Sequence, residues 1–80
     1  MNGKIEYPQD FFVNIDNDQH RLGRITLNLH SDGFVVEIDI VQKESRKIWQ
    51  HVDTIYKLEQ ADDALQTAVQ RLSQFLSGQG

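Results

Sequence analysis

Eighty residues make one small domain, 1–80, and a formal net charge of −4 argues against a general nucleic-acid binder, whose electrostatic footprint is usually basic. The absence of cysteine excludes disulfide staples and thiolate metal sites. No apolar run approaches the ~20 residues of a membrane span and Met1–Glu6 lacks an apolar signal region, so a cytoplasmic protein with no membrane partner is expected.

Taken in order, residues 1–9 carry little signal, residues 1–3 are expected to fray, and Pro8 confines any strand here to an edge. Phe11-Phe-Val-Asn-Ile15 predicts a strand with Phe11, Val13 and Ile15 on one face and Phe12 and Asn14 on the other. Asp16-Asn-Asp-Gln19 is a turn cluster leading to His20-Arg-Leu22. It superficially matches the opening of a calcium loop, but Arg21 and Leu27 stand where that loop needs glycine and glutamate. Leu22 and Ile25 differ in parity, so a bulge at Gly23 is expected to return both to the core.

Arg24 to Val41 predicts the central hairpin. Asp32-Gly33 suits a two-residue turn with positive φ at both positions. Closing that turn sets Leu29 against Val36, Leu27 against Ile38 and Ile25 against Ile40. On the other face it sets His30 against Val35, Asn28 against Glu37, Thr26 against Asp39 and Arg24 against Val41. Gln42–Lys47 is a polar loop. From Ile48 to about Tyr56 two readings compete: a fourth strand, supported by its β-branched and aromatic residues, and a helix, supported by the stripe Ile48, Trp49, Val52, Ile55, Tyr56. In the strand reading, pairing Ile38 with Val52 turns Ile48, Gln50, Val52 and Thr54 inward, and Trp49, His51, Asp53 and Ile55 outward. The acidic cluster Glu59, Asp62, Asp63 fits a helix start better than a helix middle, which favours the strand. A helix from about Glu59 to Ser77 follows. Its apolar arc is Ala61, Ala64, Leu65, Ala68, Val69, Leu72, Phe75 and Leu76, with Gly78 at the cap and residues 78–80 expected to fray. The fold class is therefore α+β: a four-stranded antiparallel meander with one C-terminal amphipathic helix packed on one face.

His51 is the candidate base, opposite Asp39 and near Glu37 and Asp53. No nucleophile stands at a recognised spacing from it, and His20, His30 and His51 have no metal-ligand spacing. No cofactor is implied. Lys43, Arg46 and Lys47 form a basic loop tip able to contact an anion. Phe12, Val35, Val41, Trp49, His51 and Ile55 share the face away from the helix. An apolar patch there that includes a tryptophan reads as an interaction surface.

These features predict a non-enzymatic protein-interaction module of adaptor or inhibitor type, homodimeric and with a further protein as partner. Burying that face against a second copy would supply the stability that a core of this size lacks. The alternative is a single-stranded nucleic-acid-binding sheet using Trp49 and the Lys43/Arg46/Lys47 loop. The meander-then-helix order resembles the single-strand-binding transcription coactivators, a resemblance of fold that rests on no motif. Glu37, Asp39 and Asp53 count against it, since they would repel phosphate. A small enzyme using His51 is the third reading.

Overall fold

Residues that alternate apolar and polar form strands here, and the one stretch with a three-and-four spacing forms the helix. The computed structural model describes residues 6–78. Strands β1 (Gln9–Asn14), β2 (Arg21–His30), β3 (Gly33–Gln42) and β4 (Ile48–Leu58) precede helix α1 (Ala61–Gly78). The strands form one antiparallel sheet in the order β1-β2-β3-β4. The expected α+β meander with one helix is thus the observed fold. The helix reading of residues 48–56 gives way to β4. The fraying expected at residues 1–3 and 79–80 falls outside the described residues, and Gly78 is the last residue of α1.

Parity along the hairpin is as expected, but its register is not. The turn centres on Ser31 and Asp32, so His30 faces Gly33, Leu29 faces Phe34, Leu27 faces Val36 and Ile25 faces Ile38. Every partner has moved by two residues, which keeps each side chain on its face while exchanging all the pairs. Gly33 follows the turn with φ 135°, and a Cβ there would come within 2.9 Å of the Leu58 carbonyl oxygen. A side chain is therefore excluded by conformation and by contact.

The expected bulge at Gly23 is also absent. Gly23 pairs directly with Ile40 in an unbroken ladder, and a Cβ at this position would collide with the Leu72 side chain. Its role is to let the helix approach the sheet, while Leu22 stays on the opposite face, paired with Asn14 and Val41. The irregularities lie in β4, whose pairing with β3 shifts at three places: between Phe34 and Val36, Ile38 and Asp39, and Ile40 and Val41. Lys57, within the first shift, takes a left-handed φ of 59°.

The core lies between the sheet and α1. Ile25, Leu27, Val36, Ile38 and Ile40 are buried against Ala64, Ala68 and Leu72. Small residues at 64 and 68 let the helix axis lie close to the sheet. Val69, expected on the buried arc, is exposed at its flank. Asp62 and Asp63 occupy the first helical turn, where carboxylates are favoured by the helix dipole. The helix packs across β2, β3 and β4. β1 lies beside a groove lined by Val13, Ile15, Val69, Leu72 and Leu76.

Candidate functional site

The face away from the helix carries a buried carboxylate. Asp39 is 2% exposed, and it is held by both neighbouring strands. Arg24, directly across on β2, places Nη2 3.3 Å from Asp39 Oδ2, and His51, across on β4, places Nδ1 2.7 Å from Oδ1. The carboxylate accepts, so Nδ1 carries a hydrogen, and Nε2 of a neutral ring then accepts from the Thr54 hydroxyl 3.0 Å away. The pairing of His51 with Asp39 was expected from the sequence. The Arg24 contact was not, because the expected register set Arg24 against Val41. The signal for it was present: among registers of the same parity, the one opposing Arg24 to Asp39 answers a buried charge.

Carboxylate, imidazole and hydroxyl thus stand in line, the order used for activating a hydroxyl nucleophile. Acyl transfer also needs donors aimed at the developing oxyanion. In a regular ladder the backbone amides point at neighbouring strands, and what the arrangement accounts for is a buried charge with its partners. Among the described residues no group of three or more His, Asp or Glu side chains gathers as a metal site.

The six residues expected to share one apolar patch do not form it. Val35 and Val41 lie on the face away from the helix but are buried. The loop after β3 is tied to the start of β2 by the Lys43 amide donating to the His20 carbonyl at 2.7 Å. Arg46 carries its guanidinium from that loop to within 4.6 Å of the Phe12 ring centre. Leu22 and Val41 are paired with each other on this face, and Leu22 also with Asn14 of β1. Ile55 turns toward the core, opposite Val36. Asp53 also leaves the outer face and pairs with Arg71 on α1. Both corrections follow from the shifted pairing of β4. Trp49, in the third of those shifts, stands 5.6 Å from the guanidinium of Arg21, whose parity is that of the helix-covered face. Of the six, Phe12, His51 and Trp49 remain accessible, and Trp49 is parted from the other two.

Of the basic loop, only Arg46 has a described ring partner; Lys43, Arg46 and Lys47 are all exposed. The Asp16–Gln19 cluster is a turn, as expected, with Asn17 at φ 63°. Asp18 accepts from the backbone amides of His20 and Arg21, both at 2.9 Å, and from Arg21 Nε at 2.6 Å. The His20 amide first, and then the Arg21 guanidinium, hold its carboxyl below the usual carboxylate range.

Sequence reasoning underrated β1. Phe11 is 36% and Phe12 47% exposed, one on each face of an edge strand. Among the described residues no strand pairs with its outer edge, whose backbone donors and acceptors are flanked by aromatic rings, the chemistry that recruits another strand. No helix among the described residues is long and apolar enough to cross a membrane. Comparison with family models, with curated proteins and with solved structures finds no match for this chain.

Proposed function

We propose that the protein is a small non-enzymatic interaction module of adaptor or inhibitor type, acting in the cytoplasm as a homodimer that engages a further protein. The observation that carries this reading is the β1 edge. Two phenylalanines are exposed on a strand that, among the described residues, has a sheet neighbour on one side only and lies outside the main contacts of the helix. A core formed chiefly by three strands and one helix has little stability to spare, and association supplies more by removing apolar surface from water. Size-exclusion chromatography with light scattering, run over a ~100-fold range of concentration, is expected to give a dimer mass that falls toward monomer on dilution. A monomer throughout would refute the reading.

A second reading, single-stranded nucleic-acid binding, draws support from one observation. Of the three carboxylates that would repel phosphate, Asp39 is paired with Arg24 and Asp53 with Arg71, which leaves Glu37 exposed on that face. Against it, the Trp49 and Phe12 rings already carry guanidinium groups and stand apart. Titration with single-stranded oligonucleotides at low salt is expected to leave Trp49 fluorescence unchanged. Saturable quenching that weakens steeply with salt would put this reading first.

A further inference from the structure

We propose that the second copy docks on β1 itself: two β1 strands pair antiparallel about a twofold axis, with Phe12 facing Phe12 of the partner. This rests on the homodimer reading and specifies its surface and register. Of the two sheet edges, β4 is the poor template. Its pairing with β3 shifts three times and Lys57 takes a left-handed φ within it, so its outward N–H and C=O groups lose the regular alternation that a partner strand must match. β1 pairs with β2 without a shift from Gln9 to Asn14, so its free edge keeps that alternation.

Symmetry narrows the register. A twofold axis relating adjacent antiparallel strands stands perpendicular to the sheet, so each copy keeps its helix on the same side and some residue must face its own copy. Centring on Asp10 opposes two carboxylates. Centring on Phe11 sets Asp10 against Phe12, twice. Centring on Phe12 sets Phe11 against Val13 on the helix side and Asp10 against Asn14 on the other, matching apolar with apolar and giving the carboxylate an amide donor. The product is an eight-stranded sheet with both helices on one side.

The cysteine-free chain makes the test direct, because one introduced thiol is the only thiol present. Residues facing across a twofold axis have Cα atoms about 4.5–5.5 Å apart, within disulfide reach. Under mild oxidation Phe12→Cys is expected to form a disulfide-linked dimer, while Ile48→Cys, at the start of β4, stays reduced. Phe12→Lys, which opposes two ammonium groups at the axis, is expected to give a folded monomer by circular dichroism and light scattering. On the unmodified protein, amide hydrogen exchange of residues 9–14 should slow as concentration rises, which keeps the test independent of any variant's folding. A dimer in which Phe12→Cys stays reduced and β1 exchange ignores concentration overturns β1 pairing and leaves the homodimer reading standing. A monomer at every concentration overturns both.

Discussion

Asp39, almost fully buried, is compatible with the fold only because Arg24 and His51 answer its charge from the strands on either side. The two partners are not equivalent. Arg24 is largely enclosed, whereas His51 is half-exposed, and exposed pairs contribute little. Asp39→Ala leaves the Arg24 guanidinium enclosed without its counter-charge and is expected to cost about 3–5 kcal/mol in chemical denaturation. His51→Ala is expected to cost about 1 kcal/mol or less. Just before the start of β2, Asp18 binds its proton more weakly folded than unfolded. Its contribution is therefore present above the unfolded carboxylate pKa of about 4 and lost as pH falls through the lower folded value. Asp18→Asn should lower the melting temperature at neutral pH, with the gap to wild type closing in acid. At this scale the sequence revealed that Asp39 meets His51, but not that Arg24 completes the group, since that contact depends on the register of a different strand pair.

Alternation determines which face a residue occupies and is blind to slips of two, which is why the strands, their order and the faces of the hairpin from Arg24 to Val41 were legible from the sequence while the hairpin pairs were not. The choice between registers fell to the turn, where Ser31-Asp32 and Asp32-Gly33 are both good turn sequences. The bulges of β4 had no glycine to announce them: the shift between Ile38 and Asp39 turned both Asp53 and Ile55 to the helix side, and the shift between Ile40 and Val41 left Trp49 beside Arg21. That is why the predicted patch dispersed although its strands were correctly found. Ile38, with no exposed surface and paired with Ile25, tests the observed packing: Ile38→Ala should cost about 2–5 kcal/mol. Gly33→Val should also destabilise, because it places a β-branched residue at positive φ against the Leu58 carbonyl. Equilibrium denaturation of each variant checks both, and Ile38→Ala within ~0.5 kcal/mol of wild type would be inconsistent with this core.

For the whole molecule, folding and association are coupled if β1 is completed by a second chain. The melting temperature should then rise with protein concentration, as mass action requires. Phe12→Lys should abolish that dependence, while Trp49→Glu should leave it in place, because Trp49 belongs to β4, the edge strand opposite β1. Differential scanning calorimetry at several concentrations separates the two variants. A concentration dependence lost in Trp49→Glu and kept in Phe12→Lys would move the interface to β4.

The irregular pairing of β4 also bears on how large an assembly can become. Joining at β1 consumes the regular edge of each chain and leaves the pair bounded on both sides by β4, whose bulges offer an incoming strand no continuous template. In the proposed dimer addition would therefore stop at two, the count limited by backbone geometry rather than by affinity. Deleting Trp49 removes the extra residue of one bulge but leaves the other two and the left-handed Lys57 in place. Such a chain is therefore expected to stop at the same size as the parent, with no rise in weight-average mass in light scattering as concentration increases.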